Sequence, residues 1–248
     1  MEAKIGVISD IHNNVYALEA VLKHFEQEEL DGIICCGDII GTGAYPEETV
    51  RAVMAISNML ACVCGNHDRF LTEGFCESMM SAEEAAYHRW EHGLLSKESR
   101  DFLAGLPRSQ TLTILGHKIY AAHYGMDENG KYFRLPKPKN FMHDDDDLPA
   151  LFENADADAD IILFGHDHFR RAVHADRWYI NPGSLGCPGK DRNIANAGIL
   201  HIREGGFRLE DVRVEYDVTK TLEDIDKQNL PTKDFIKKIF YGIGCETQ

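Results

Sequence analysis

The stretch "CVCGNHD", Cys62 to Asp68, decides the fold. An apolar run that reads as a buried strand ends abruptly in three adjacent polar residues, Asn66, His67 and Asp68. One such cluster could be an ordinary turn, because Asn, Asp and Gly all suit turn conformations. The same design recurs along the chain, however. "VISDIH" ends in Asp10 and His12, "CCGDII" carries Asp38, "YAAHYG" carries His123, and "LFGHDH" carries His166 and His168. Each group sits at a predicted strand exit, and in open α/β sheets the loops beyond the carboxyl ends of the strands converge on one crevice.

The surrounding pattern agrees with such a sheet. "KIGVIS", "VYALEAVLKHFEQEE", "GIICCG", "EETVRAVMAISN" and "LACVCG" follow one another in βαβαβ order, which predicts a parallel sheet with covering helices. Leu18, Val21, Leu22 and Phe25 fall on one face of the first helix, with Asn13 or Asn14 as its cap. Residues from about 70 to 107 read as two helices inserted as a cap beside the sheet. The later runs "TLTILG", "KIYAAHY", "IILFGH", "RWYINPG", "AGILHIRE" and "FRLEDVRVEY" read as strands, the last few meander-like and forming a second sheet. From Leu222 the tail reads as helix broken by Pro231. The acidic tract "HDDDDLPALFENADADAD" reads as a solvated loop feeding a helix with Asp beside Pro149, since it lacks the fixed Gly and distal Glu of a calcium loop.

A chain of 248 residues with 44% hydrophobic composition can build a sizeable core. Its net charge of −15 opposes loose binding to a nucleic-acid backbone or an anionic membrane, whereas a local cationic site still admits a small anionic substrate. The seven cysteines form no C-x-x-C pair, and Cys35, Cys36, Cys62 and Cys64 lie inside predicted strands. They are expected as buried free thiols in a reducing compartment. The N-terminal "EAKIGVISD" has no signal-peptide pattern and no run approaches membrane-spanning length, so the expected location is cytoplasmic.

Asp10 and His12 are two residues apart, as are His166 and His168. An extended chain sends such residues to one face, so each pair is expected to grip one object while Ile11 and Asp167 point away. Together with Asp38, Asn66 and His123 they make a mixed nitrogen and oxygen donor set that suits Mn, Fe, Zn or a similar transition ion. Seven donors exceed the needs of one tetrahedral ion, and two divalent ions sharing one carboxylate is the economical arrangement.

The ordered motifs D-x-H, G-D, G-N-H-D, a lone His and G-H-x-H resemble the calcineurin-like metallophosphoesterase family over residues 4 to 185. The later "INPGS", Ile180 to Ser184, resembles its bacterial phosphodiesterase and diadenosine-tetraphosphatase-like branch. The resemblance implies a single domain over 1–248 with a four-layer αββα sandwich of two mixed β-sheets flanked by helices, a helical cap insertion at about 70–107 and a helical tail at about 220–248. It also implies two metal sites, one held by Asp10, His12, Asp38 and His168, the other by Asp38, Asn66, His123 and His166, with Asp38 bridging. The implied reaction is hydrolysis of a small phosphodiester, nucleotide or phosphomonoester by a metal-bridging hydroxide. His67 would protonate the leaving oxygen, and Asp68 would orient His67 and keep it cationic. This chain departs from the branch at Asn13, where Gly is common, and at Asp167, where a small residue is common.

Other residues carry weaker signals. Gly183 and Ser184, with Lys190 and Arg192 beyond, either bind a substrate phosphate or form a plain Pro-Gly turn. His24, His117, His143, His174 and His201 read as structural. His88 and His92 have the spacing of a helical zinc pair without the neighbouring Glu of H-E-x-x-H, and read as a helix-surface pair. Arg170 and Arg171 read as a solvated strand edge, and Tyr124 and Trp90 as packing residues. Alternatives to the small-ester reading are a dinucleoside polyphosphate hydrolase or protein phosphatase on the same scaffold, and, from another class, a metal-binding scaffold without catalysis.

Overall fold

The computed structural model describes residues 1–74, 81–132, 147–187, 191–228 and 230–243. The first half alternates as the apolar runs predict: β1 (Glu2–Ile8), α1 (Val15–Gln27), β2 (Gly32–Cys35), α2 (Pro46–Met54) and β3 (Met59–Cys62). Asn14 caps α1, its side chain accepting from Ala17 N at 3.1 Å. Helices α3 (Asn66–Glu73), α4 (Ala82–Leu94) and α5 (Lys97–Gly105) follow, then β4 (Ser109–Ile114), β5 (His117–Ala122), α6 (Leu148–Leu151), β6 (Ile161–Leu163), β7 (Arg171–His174), β8 (Trp178–Asn181), β9 (Ile194–Arg203) and β10 (Gly206–Glu215). The tail holds α7 (Val218–Lys227) and α8 (Lys233–Tyr241), separated at Pro231 as expected.

The strands form two five-stranded sheets, ordered β10-β9-β1-β2-β3 and β4-β5-β6-β8-β7. Both are mixed. β1, β2 and β3 pair in parallel, as do β5, β6 and β8, while β9, β10, β4 and β7 pair antiparallel to their neighbours. Strand alternation explains the layering. Ile5 and Val7 pack against Ile119, Ala121, Ile161 and Leu163 between the sheets. Ile8 joins Leu18, Val21 and Phe25 of α1 and Val50 of α2 on one outer face. On the other, Tyr120 and Ala122 meet Leu148 and Leu151 of α6. Each such aliphatic side chain, fully buried, contributes about 1.5–3 kcal/mol.

The structure corrects three sequence expectations. β9 and β10 belong to the first sheet, with Ile5 opposite Leu200 and Val7 opposite Gly198. β9 is buried on both faces, sending Ile199 to the helices and Leu200 to the space between sheets, a central position that strand periodicity alone does not reveal. The polar cluster at Asn66 begins a helix, α3, and β7 is a strand that no apolar run announced. In the acidic tract, Asp147 precedes α6 with Pro149 in its first turn, while His143 to Asp146 lie outside the described residues.

α7 and α8 pack back onto the chain itself. Ile225, Ile236 and Tyr241 form a cluster with Ala44 and with Tyr87 of α4. The Tyr241 hydroxyl donates to Gly186 O at 3.2 Å and accepts from Asn14 Nδ2 at 3.3 Å, which ties the tail to the strand exits.

Candidate metal centre

The loops leaving β1, β2 and β6 are not extended. Asp10, His12, Asp38, His166 and His168 all have left-handed backbones, with φ of 53°, 51°, 51°, 72° and 61°. The expectation that each i, i+2 pair meets by strand alternation is therefore corrected: the side chains converge because their backbones turn. Each such residue costs about 1–2 kcal/mol, and strain of this kind persists only where surrounding structure over-determines it. Here the β1 and β2 loops bind each other: Asp10 N donates to Gly37 O, and Ile11 N and His12 N both donate to Asp38 O, at 2.9–3.1 Å. His166 N donates to both Asp10 carboxylate oxygens at 3.1 Å.

Two groups of donor atoms result, sharing Asp38. In the first, His12 Nε2 lies 3.0 Å from His168 Nε2, 3.7 Å from Asp10 Oδ1 and 3.9 Å from Asp38 Oδ2, and His168 Nε2 lies 3.4 Å from Asp10 Oδ1. In the second, His123 Nε2 lies 3.2 Å from each of Asp38 Oδ2, Asn66 Oδ1 and His166 Nδ1. Nitrogen and oxygen ligands about 2.0–2.2 Å from a common tetrahedral ion stand about 3.3–3.6 Å from one another, so the donor set fits metal. His123 is further fixed because its Nδ1–H donates to Cys36 O at 2.9 Å, which aims Nε2 at the donor group. All seven candidate ligands thus lie close to one another, Asp10, His12 and His168 on one side of Asp38 and Asn66, His123 and His166 on the other.

Packing around the groups is close. A Cβ on Gly65 would lie 2.0 Å from Asp38 Oδ1, so only glycine lets α3 start beside that carboxylate. Asp38 Oδ1 also accepts from His67 N at 2.9 Å.

The charges hold one another. Burial works against ionised Asp10, but the adjoining His168 and His12 imidazoles outweigh it and hold the carboxyl well below its usual range. Asp38 is likewise depressed, His123 overcoming burial. In return, Asp38 lifts His123 to about 10 although burial opposes this, and His12 is raised by Asp10 and Asp38 against its own burial. Burial dominates at His166 and pushes it down to about 3.

His67 and Asp68 are placed differently from expectation. The His67 ring stands edge-on to the ring of His12, centroids 5.3 Å apart, and touches Phe70 and His88. Its Nδ1 is buried and has no hydrogen-bond partner among the described residues. Asp68 does not reach it. Asp68 Oδ1 accepts from Ile39 N and Ile40 N at 3.0 and 3.1 Å, and Oδ2 accepts from Gly65 N at 2.8 Å. The carboxylate is fully engaged in joining the β2 loop to the start of α3. Loss of water around the ring pushes His67 down to about 3, against the opposing pull of the Asp38 carboxylate.

The remaining sequence candidates are placed as follows. Gly183 N donates to Asn181 Oδ1, and Ser184 Oγ donates to Asp10 O and accepts from Cys187 N, all at 2.8 Å. These groups form a buried turn that braces the Asp10 loop, so the phosphate-binding alternative gives way to the turn. Arg192 is exposed, and Lys190 lies outside the described residues. His88 is not a surface residue: it is buried, with Nδ1 3.3 Å from Glu91 Oε2. Arg171 is also buried and pairs with Asp167 at 3.0 Å, while Arg170 pairs with Asp211. Asp167 additionally accepts from Asn181 Nδ2 at 2.8 Å, and burial pushes its carboxyl up to about 7. Tyr124 packs as expected, 4.3 Å between its ring and that of His166.

Two features escaped the sequence reading. The Cys187 sulfur lies within 4.8 Å of the His12 and His168 nitrogens, and Glu91 of α4 is buried against the β1 and β2 loops. Neither belongs to a recognisable spacing; the buried acid on an otherwise amphipathic helix was the available sign.

The comparisons with known proteins bear on this site. Residues 3–205 match the calcineurin-like phosphoesterase superfamily domain, and the chain belongs to that family. It is a metal-dependent phosphoesterase. It is 32% identical over 247 residues to the uncharacterized protein MJ0912 of Methanocaldococcus jannaschii, covering 93% of this chain and 95% of that one. It is 26% identical over 206 residues to the phosphodiesterase YfcE of Escherichia coli, covering 79% and 86%. A metallophosphoesterase structure from Sphaerobacter thermophilus superposes with a TM-score of 0.74 at 23% identity over 97% of this chain and 99% of the other, a likeness of fold. Among the described residues, no helix is long and apolar enough to cross a membrane.

Proposed function

We propose that the chain hydrolyses a small phosphodiester at a dinuclear centre bridged by Asp38. The observation that carries this reading is the position of Asp38 Oδ2, 3.2 Å from His123 Nε2 and 3.9 Å from His12 Nε2, each the inner member of a separate donor group. Asp10, His12, Asp38 and His168 would hold one divalent transition ion, and Asp38, Asn66, His123 and His166 the other. When bound, two such ions supply Lewis-acid stabilisation of phosphoryl oxygens and bring the pKa of a bound water from 15.7 to about 7.

The chain's own groups do the rest. Two ions bring four positive charges and Asp10 with Asp38 offset two, which leaves a pocket that attracts a phosphate despite the acidic surface. His67 stands beside the first donor group, its buried Nδ1 turned toward Gly41 and without a hydrogen-bond partner among the described residues. An anionic phosphate next to the ring opposes the desolvation that lowers it, so His67 takes up a proton with the substrate and returns it to the leaving oxygen. Helices α3 to α5 form the cap, which restricts entry to small esters, and we read 1–248 as one unit including the tail. The free cysteines among the described residues suit a reducing compartment, consistent with a cytoplasmic enzyme.

The test is turnover of purified protein with added Mn²⁺ on a bis-aryl phosphate, its monoester and a dinucleoside tetraphosphate. The diester is expected to be cleaved fastest. Bound metal with no hydrolysis of any of the three would leave a scaffold.

A further inference from the structure

We infer that Glu91 and Tyr87, one turn apart on α4, are positioning residues that hold the metal-bearing loops in register. This assignment rests on the phosphoesterase reading above. Glu91 is 0% exposed, an expensive place for a carboxylate unless its oxygens are fully engaged. Oε1 accepts from Gly41 N at 2.5 Å and from the side-chain amide of Asn13, and Oε2 lies 3.3 Å from His88 Nδ1. The Tyr87 hydroxyl accepts from Asn13 Nδ2 at 2.9 Å and Gly43 N at 2.8 Å, and donates to Gly43 O at 2.7 Å. Residues four apart on a helix share a face, so one face of α4 grips both loops at once.

What it grips is specific. Asn13 follows His12, and Gly41 and Gly43 follow Asp38 in the next few residues. Asn13 is left-handed, with φ of 55°, so its backbone needs outside support, while Gly41 takes its φ of 97° freely as a glycine. Gly41 also packs against the acid candidate: a Cβ there would lie 2.6 Å from His67 Cγ. Through these contacts α4 sets where His12 and Asp38 aim and what His67 rests on. The helix outside the sheet is thereby part of the apparatus that forms the metal centre, in addition to restricting entry.

A purely structural tether and a positioning role differ in what they move. Glu91→Ala takes the acceptor from the Gly41 amide and one of two acceptors from the Asn13 side chain, whereas Glu91→Gln keeps an acceptor oxygen for both. Ile202→Ala, a buried truncation in β9 opposite Ala3, at the end of β1 remote from the strand exits, serves as the control for lost stability. Tyr87→Phe is the milder second variant should Glu91→Ala fail to fold. The measurement is Mn²⁺ affinity of the folded, metal-stripped protein by calorimetry or electron paramagnetic resonance, which needs no substrate. Loss of a supporting partner weakens metal binding by about 10–100-fold; that loss is expected for Glu91→Ala, a smaller one for Tyr87→Phe, and recovery to within a few-fold for Glu91→Gln. Wild-type affinity in Glu91→Ala and Tyr87→Phe, or an equal loss in Ile202→Ala, would overturn the assignment. Absence of Mn²⁺ binding by the wild-type protein would instead defeat the metal reading itself.

Discussion

His12 and His168 are separated by 156 residues, yet their Nε2 atoms face each other across 3.0 Å. Two imidazole nitrogens at that distance share either a proton or a cation. The carboxylates of Asp10 and Asp38 lie within 4 Å of His12, and a cation answers all of these charges together. The same logic governs His123, His166 and Asn66 on the other side of Asp38.

Replacing Asp38 by Asn removes the shared charge from both groups. Metal content by elemental analysis is expected to fall below one ion per chain. Turnover should fall by at least about 10³-fold, because ionic stabilisation of this kind is worth several kcal/mol. Full metal occupancy in Asp38→Asn would refute the bridge.

Gly65→Ala tests the same carboxylate without touching a ligand. The added Cβ would lie 2.0 Å from Asp38 Oδ1 in a backbone conformation that alanine tolerates, so the effect is displacement alone. Metal affinity should drop while the secondary structure, read by circular dichroism, stays intact. Normal metal binding would mean that Asp38 is free to move and still coordinate.

His67→Ala should retain metal and lose about 10²–10⁴-fold in rate on esters with poor leaving groups, with a smaller loss on activated aryl esters. Equal losses on both would remove the proton-donor role.

Asp68→Asn separates the two readings of that residue. Its carboxyl accepts three backbone N–H groups, while burial and the neighbouring Asp38 push it up to about 7, and each such hydrogen bond contributes about 0.5–1.5 kcal/mol net. The variant should melt earlier while keeping the leaving-group dependence of the parent. If its rates on poor and activated leaving groups match those of His67→Ala instead, Asp68 acts on His67 after all.

Metal uptake should depend on pH in a direction set by His123. Asp38 raises this imidazole to about 10 against the opposing effect of burial, so without metal it is protonated at neutral pH. Its raised value favours folding of the metal-free protein below about 6.5, and that contribution is lost as pH rises through about 10. Ligation through Nε2 must release the proton, so affinity should rise about tenfold per pH unit between pH 7 and 9. Calorimetry in buffers of different ionisation enthalpy counts the protons released; none at pH 7 would contradict this sign.

Much of the candidate site was legible because each proposed ligand ends an apolar run, and a strand that stops on Asp or His rather than Gly or Ser advertises a purpose. Asp10, Asp38, His123 and the 166/168 pair all follow this rule. Their left-handed backbones were not legible, because φ at Asp10 and His12 is imposed by bonds to the β2 loop, distant in sequence. The hydrogen bonds of Asp68 were not legible for a related reason: its partners are backbone amides, among them those of Ile39 and Ile40, which carry no sequence signature. The buried state of His88 and Glu91 depends on how α4 docks, and the i, i+4 histidine spacing says nothing about docking. The β9–β10 hairpin shows the same limit in the fold, since its alternation suits either sheet and only burial on both faces puts it beside β1.

The most direct measurement is anomalous diffraction from crystals of the metal-loaded protein. Two peaks are expected, both within coordination distance of Asp38, one also bound by His12 and His168 and the other by His123 and His166. A single peak, or two with no carboxylate in common, would contradict the account.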